Sequence, residues 1–304
     1  MKLSISRITL WLFAAAFFLQ GSATGQVKTP PKRPVPPKPV IFAVVNDGKW
    51  IEPIAVVDDG NLVDVSDESG ALKAFEQNYY RPKSFYALIF GGANDGLVTV
   101  VKSNKGSECG GSSADVTVKS TKAKLVPPVF ALATNVRLRP DAKGYRRRPT
   151  PDERKRVETL VRTEFTKKGA TAAATKTLRY HNLTAVDVDG DDDAEFIGSY
   201  WIATKADERR LLFFVIADVG DKSAFVYSEH SIVGPDDVMS GDLKDVEKGY
   251  GAELLVDLLD YDGDGVDEIF TIGQAFEGNN YYVYKRTDGK WTKVHETYDY
   301  RCAY

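Results

Sequence analysis

Two short acidic segments, Asp187–Glu195 and Asp260–Glu268, contain the residues whose types and spacing are best suited to chemistry. Each segment has acidic residues at its first, third, fifth and ninth positions. Carboxylates at this spacing repel one another strongly unless a cation lies among them. Hard oxygen ligands suit Ca²⁺, which takes about 6–8 oxygens at about 2.3–2.6 Å. The pattern therefore predicts two metal sites, with Ca²⁺ as the expected cofactor.

The second segment shows the spacing most clearly. Asp260, Asp262 and Asp264 alternate with other residues, and two glycines in the segment let the backbone turn tightly around an ion. The backbone carbonyl of Val266 is a further candidate oxygen, and Glu268 closes the site with its carboxylate. An EF-hand begins in the same way but requires glutamate at position twelve, which neither segment has. The residues after each segment also alternate as strands do, so an EF-hand is excluded.

The acidic segments lie at corresponding places in an internal repeat, offset by about 73 positions. Short β-type runs follow both of them, at residues 196–201 and 211–216 in the first copy and at 269–274 and 281–284 in the second. Each copy is predicted to form a strand, the acidic loop and three further strands joined by hairpins. Four antiparallel strands per repeat are typical of a β-propeller blade.

This combination resembles the FG-GAP/VCBS-type repeats, which are best known from the propeller of integrin α-chains. In that family, the loop between the first two strands of a blade holds Ca²⁺. The resemblance implies the following metal ligands: Asp187, Asp189, Asp191, the carbonyl of Asp193 and Glu195 in the first copy, and Asp260, Asp262, Asp264, the carbonyl of Val266 and Glu268 in the second.

Both copies depart from the family pattern. The first has Asp192 at the sixth position, where glycine is usual, and Ala194 where the second copy has Asp267. Aspartate tolerates left-handed backbone geometry better than most residues, so Asp192 is compatible with the turn. A Gly-Ala-Pro segment of the family is missing from both copies. The resemblance covers only the C-terminal part of the chain, and the first site is expected to be the weaker one.

Composition divides the whole chain into five segments. Residues 1–25 are predicted to be a signal peptide, 26–40 a proline-rich linker, 41–140 an N-terminal antiparallel β module, 141–176 a basic linker with a helix, and 177–304 the two repeats. The predicted fold class is therefore mainly β with one helix. It combines two four-stranded, propeller-blade-like repeats with the N-terminal module. A small closed propeller and two blade-like sheets packed on that module are both compatible with the sequence.

The N-terminal residues have the features of an export signal. Lys2 and Arg7 precede an apolar run at residues 8–19, which is short for a membrane span. Small residues near position 25 predict cleavage there, with an uncleaved anchor as the alternative. The expected location is secreted, periplasmic or cell-surface, with no membrane span after cleavage. In an oxidising compartment Cys109 and Cys302 can form a disulfide, and two unpaired thiols are the alternative.

One helix is predicted from local signals near residue 150. Thr150 can cap it, Pro151 suits its first position, and Glu153 completes a capping box. Gly169 is a natural C-terminal stop. The apolar face of the predicted helix comprises Val157, Leu160, Val161 and Phe165.

Charge is distributed unevenly along the chain. The whole sequence has 40 basic and 43 acidic residues, a net charge of −3. Residues 26–180 carry a net charge of about +11, whereas residues 181–304 carry about −16. The acidic half repels itself unless bound Ca²⁺ or docking against the basic half offsets its charge. The basic run at 146–148 has two interpretations, an anion-binding cluster or a solvated face.

Common catalytic motifs are missing from the sequence: it has no His-Glu-x-x-His, no Gly-x-Ser-x-Gly and no phosphate-binding glycine loop. We therefore expect an exported, non-catalytic, calcium-binding scaffold or binding protein. Its expected partner is a protein or a glycan, and not a nucleic acid. The alternative is an exported glycan-active hydrolase or glycan-binding module that uses the repeats as a scaffold. Tyr281, Tyr282 and Tyr284 are the candidate sugar-binding residues of that alternative.

Overall fold

The computed structural model describes residues 37–65, 69–104, 112–219 and 222–300. The predicted signal peptide, most of the proline-rich linker, Cys109 and Cys302 lie outside these residues, so cleavage and the disulfide stay predictions. The described chain is 49% strand and 16% helix, with antiparallel sheets, which confirms the mainly β fold class. Within it, no helix is both long and apolar enough to cross a membrane.

The N-terminal module is a closed barrel of six antiparallel strands with a seventh short strand beside it. The strands are β1 (Val40–Val45), β2 (Trp50–Asp58), β3 (Asn61–Val63), β4 (Phe85–Ile89), β5 (Asn94–Ser103), β6 (Ala114–Ser120) and β7 (Ala131–Thr134). The order around the barrel is β1-β7-β4-β5-β6-β2, and pairing of β1 with β2 closes it. Strand β3 pairs with the end of β2.

Strand β1 is buried on both faces, which explains its continuous apolar sequence. Phe42 points into the barrel, where helix α1 (Ser69–Tyr79) covers it with Phe75 and Tyr79. Ile41 and Ala43 point outward and pack against the C-terminal half of the chain. The barrel therefore has a core of its own, and its outer face packs against the C-terminal half of the chain.

The prediction of one helix is wrong, because the described residues form four α-helices. They are α1, α2 (Pro151–Lys167), α3 (Ala172–Thr175) and α4 (Lys244–Lys248). Helix α2 is the predicted one, and both hydrogen bonds of its Thr150–Glu153 capping box are present. Helix α1 buries only a narrow aromatic stripe, and α3 and α4 each have barely more than one turn. Local signals of this strength do not indicate a helix.

The C-terminal part of the chain forms two antiparallel sheets. The first sheet contains β9 (Arg179–Val186), β10 (Glu195–Lys205), β11 (Glu208–Val219) and β12 (Lys222–Val233), and the two-residue strand β8 (Arg146–Arg147) adds a fifth strand. The second sheet contains β13 (Glu253–Leu259), β14 (Glu268–Ala275), β15 (Gly278–Thr287) and β16 (Lys290–Tyr300). In both sheets consecutive strands are neighbours.

The elements stack in layers. Ile197 of the first sheet and Ile269 of the second lie in one apolar cluster, so these sheets pack face to face. The opposite face of the second sheet, including Phe270, packs on the outside of the barrel. The opposite face of the first sheet packs on α2, including Phe165. The layers follow in the order helices, first sheet, second sheet and barrel. The acidic turns of the two sheets lie next to each other in this arrangement.

Candidate metal centres

Both acidic segments are turns between the first two strands of a sheet. The first turn follows β9 and ends at Glu195, the first residue of β10. The second follows β13 and ends at Glu268, the first residue of β14. The backbone N–H of Asp267 donates to the carbonyl of Val188 at 2.8 Å, so the two turns contact each other directly.

The first turn brings three predicted ligands together. One carboxylate oxygen from each of Asp187, Asp189 and Glu195 lies within 4.8 Å of the others. Asp187 also organises the turn, because its two oxygens accept the backbone N–H groups of Gly190 at 2.7 Å and Asp192 at 3.0 Å. The carboxylates thus converge on one point while the backbone wraps around them.

The second turn repeats this geometry. Asp260, Asp262 and Glu268 converge within the same 4.8 Å. The oxygens of Asp260 accept the backbone N–H groups of Gly263 at 2.7 Å and Gly265 at 3.1 Å. The residues at the fourth and sixth positions have positive φ in both turns. The values are 76° for Gly190 and 67° for Asp192 in the first turn, and 81° for Gly263 and 94° for Gly265 in the second. Asp192 therefore takes the left-handed conformation that glycine takes in the second turn.

The fifth-position carboxylates of the sequence-based ligand set do not join the converging groups. Asp191 and Asp264 lie outside the two converging groups of carboxylates. Their oxygens accept backbone N–H groups two residues further on, from Asp193 at 2.8 Å and Val266 at 2.9 Å. Ligation by the carbonyls of Asp193 and Val266 stays a prediction.

A lysine from the same sheet lies in the second turn. The ammonium of Lys285, on β15, donates to Asp264 at 2.7 Å and to Glu268 at 3.0 Å, and it also donates to Asp262. Its side chain is 20% exposed. One positive charge thus lies among three carboxylates that the sequence assigns to a metal.

An arginine from the basic half also reaches the second turn. Arg139 donates to the carboxylate of Asp267 at 2.7 Å and to the carbonyl of Gly265 at 2.9 Å. Its Nε lies 3.4 Å from Asp260. This contact brings one positive charge of the basic half against the acidic half, one of the two ways in which its charge could be offset.

The first turn is less neutralised. Arg286 donates to one oxygen of Asp189 at 2.9 Å. The other oxygen, Oδ1, is buried and has no hydrogen-bond partner in the described part of the chain. Glu195 is only 6% exposed and accepts the backbone N–H of Val188 at 3.0 Å. A buried carboxylate oxygen without a donor is costly, and a bound cation would remove that cost.

Burial raises the pKa of the carboxyls that close both turns. The pKa of Glu195 is raised to about 7, mainly by burial, with the neighbouring aspartates adding to the effect. Burial likewise raises the pKa of Glu268 to about 8, although hydrogen bonds from Lys285 and Tyr261 oppose the shift. Ionising either group is therefore unfavourable unless a positive charge is close by.

Lys285, Arg139 and Arg286 were not predicted as site residues. They are far from the acidic turns in sequence, and no local motif marks them. The adjacent residues Lys285 and Arg286 point to opposite faces of β15, so one strand supplies a cation to each turn. Only the overall charge asymmetry indicated that basic side chains would meet the acidic half.

A polar cleft of about 240 Å³ lies between the two sheets, farther along the strands from the turns. In it, Oε1 of Glu253 accepts hydrogen bonds from Thr271 and from Tyr284, the latter at 2.7 Å. Lys293 lies 4.2 Å from the ring centroid of Tyr282. Tyr281 and Tyr284 are fully buried, so the prediction that they form a sugar-binding surface is wrong. Their apolar rings pack the interfaces of the second sheet.

No protein-family model, curated protein or solved structure matches this chain. The described residues contain two acidic turns, one in each C-terminal sheet, whose carboxylates could each hold a metal ion.

Proposed function

We propose that this chain is an exported, non-catalytic, calcium-binding scaffold or binding protein built on FG-GAP/VCBS-type repeats. The observation that supports the proposal is the convergence of three carboxylates in each of two repeat-related turns. A surface loop that is acidic by chance has no reason to repeat both the side-chain and the backbone geometry at the corresponding position of a second repeat.

The donor set favours Ca²⁺ over other metals. Both clusters consist of carboxylates, and carboxylate oxygens suit hard cations, whereas Zn²⁺ and Cu²⁺ sites usually include histidine or cysteine. Ca²⁺ accepts the irregular arrangements of carboxylates and backbone carbonyls that a short turn can offer. Mg²⁺ demands nearly ideal octahedral geometry and keeps much of its water. The orphaned oxygen of Asp189 fits a cation in the first turn.

The proposed role of the ion is structural. In each turn it would neutralise the converging carboxylates and tie the first strand of the sheet to the second. Because Asp267 and Val188 join the two turns, order in one turn supports the other. Extracellular calcium modules bind with dissociation constants near 10⁻⁴–10⁻³ M, so an exported protein would fill such sites outside the cell. The layered body would then present a surface to a protein or glycan partner.

Equilibrium dialysis of the full chain tests this proposal. At a free calcium concentration of about 1 mM, we expect at least one Ca²⁺ bound per chain, and an equal concentration of Mg²⁺ should not displace it. Asp187→Asn and Asp260→Asn together should abolish binding. Asp207→Asn, which changes an exposed acid in the β10–β11 turn, is the matched control and should bind as the wild type does. Absence of bound calcium, or binding that survives the double substitution, would overturn the proposal.

A further inference from the structure

The Lys285 ammonium occupies oxygens of Asp262 and Glu268, two of the three carboxylates that converge in the second turn. It contacts Asp262, Asp264 and Glu268, the acidic residues at the third, fifth and ninth positions of that turn. An ammonium has three N–H donors, and here each of the three carboxylates accepts one of them. The second turn therefore already contains a cation, covalently attached to the chain.

The first repeat has no equivalent of this lysine. Strand register fixes the correspondence, because Tyr284 pairs with Ile269 in the second sheet as Ile216 pairs with Phe196 in the first. The residue after Ile216 is Ala217, which therefore stands where Lys285 stands in the second repeat. A methyl side chain supplies no charge to the first turn.

The other cations increase this difference between the turns. The second turn also receives Arg139, which lies 2.7 Å from Asp267 and 3.4 Å from Asp260. The first turn receives Arg286 on one oxygen of Asp189, while the other oxygen is buried without a partner in the described chain. The chain thus places two positive charges at the second turn and one at the first, so the first turn is the less neutralised of the two.

We infer that Lys285 is a tethered counter-ion that a divalent cation must displace from the second turn, so that the first turn is the tighter metal site. This inference rests on the proposed function, since it presupposes that the turns bind a metal. It reverses the order of affinities expected from the sequence, in which Asp192 and Ala194 made the first site the weaker one. The sequence comparison of the two copies covered residues 281–284 of this strand and ended one residue before the lysine.

The geometry allows the two cations to exchange. Ca²⁺ requires oxygens at about 2.3–2.6 Å, closer than the 2.7 and 3.0 Å of the ammonium contacts to Asp264 and Glu268. Both cannot share these oxygens, so the ammonium has to leave as the ion enters. The lysine side chain is flexible and partly exposed, and its ammonium can move into water. Displacing the Lys285 ammonium costs the free energy of the contacts that are lost. This cost lowers the apparent affinity of the second turn for Ca²⁺.

Isothermal titration with CaCl₂ on four full-length proteins tests the inference. They are the wild type, Lys285→Met, Asp189→Asn, and the variant with both substitutions. Methionine keeps most of the aliphatic chain and removes only the charge, and Asp189→Asn disables the first turn so that the second can be measured alone. Lys290→Met removes an exposed lysine next to the same hairpin and is the matched control.

In the wild type we expect one tighter site and one weaker site. Removing the charge of Lys285 should raise the affinity of the second turn by about tenfold to a hundredfold, the range expected for lost hydrogen bonds between charged groups. The same gain should appear between Asp189→Asn and the double variant, and Lys290→Met should not change the titration. Unchanged second-turn affinity in Lys285→Met, with calcium still bound, would overturn the inference and leave the proposed function intact. No calcium binding by any of the proteins would overturn both.

Discussion

At the residue scale, the acidic turns show which side-chain positions a local pattern can determine. The first, third and ninth positions converge because the turn is short and its backbone conformation is dictated by the fourth and sixth residues. Asp191 and Asp264, the predicted fifth-position ligands, lie outside the converging groups, and one oxygen of each accepts a backbone N–H group two residues further on, so their ligation stays a prediction. Aspartate competes for local donors in this way, and spacing alone does not reveal which use prevails.

Glu195 gives a prediction about pH. Its folded-state pKa of about 7 lies above the ordinary value of 4.5, so the folded protein binds more protons than the unfolded chain between these values. In metal-free buffer its contribution to stability therefore falls as pH rises from about 5 to 8, by roughly 3 kcal/mol at most. Glu195→Gln cannot ionise and lacks this contribution. Urea unfolding should show the variant gaining stability relative to the wild type as pH rises across this range.

Comparison of the two proteins at each pH cancels the other groups that titrate in this range. The difference in unfolding free energy between Glu195→Gln and the wild type should be larger at pH 8 than at pH 5. An equal difference in unfolding free energy at pH 5 and at pH 8 would contradict the raised pKa of Glu195 in its buried position. With calcium present the trend should weaken, because the ion favours the ionised carboxylate.

At the element scale, sequence reasoning succeeded where the signals are local. The start of helix α2 was predictable because Thr150, Pro151 and Glu153 act within one turn, and the structure has the same capping box. The strands of the two C-terminal sheets were predictable because hairpins join strands that are consecutive in sequence and adjacent in the sheet. Short range is the common property of these signals.

The elements that were missed depend on distant partners. Helix α1 is specified mainly by the aromatic contacts of Phe75 and Tyr79 with the barrel interior, which local periodicity does not contain. Closure of the barrel requires the four-residue strand β7 to pair with β1, about ninety residues earlier in sequence. A strand of four residues has no distinctive sequence pattern. The antiparallel module could therefore be predicted, but its closure into a barrel could not.

At the whole-molecule scale, oppositely charged residues of the basic and acidic halves pair at the junction between the barrel and the second sheet. Arg146, 6% exposed, pairs with the fully buried Asp257 of β13 at 2.6 Å. The same carboxylate accepts the backbone N–H groups of Gly91 and Gly92 from the barrel, at 2.7 and 3.1 Å. The basic run at 146–148 is therefore not simply a solvated face, because its first residue is buried in this ion pair.

Removing the charge of Arg146 should destabilise the whole protein. In Arg146→Met, Asp257 would be left as a buried charge without its ion-pair partner, which costs about 3–5 kcal/mol. Arg148→Met, two residues away and exposed, is the control and should change stability by no more than about 0.5 kcal/mol. Chemical denaturation of the three proteins measures both values. A loss in Arg146→Met no larger than in the control would contradict the role assigned to this pair.

Thermal unfolding with and without Ca²⁺ tests the central claim, that the two turns bind calcium as part of the folded structure, most directly. With about 5 mM Ca²⁺ and a dissociation constant near 5 × 10⁻⁴ M at each turn, we expect Tm to rise by roughly 3 °C for each occupied turn, about 5 °C in all, above its value in chelator. The increase should grow with calcium concentration and disappear in the Asp187→Asn, Asp260→Asn double variant. An unchanged Tm in the wild type, or an equal increase in the double variant, would contradict the account.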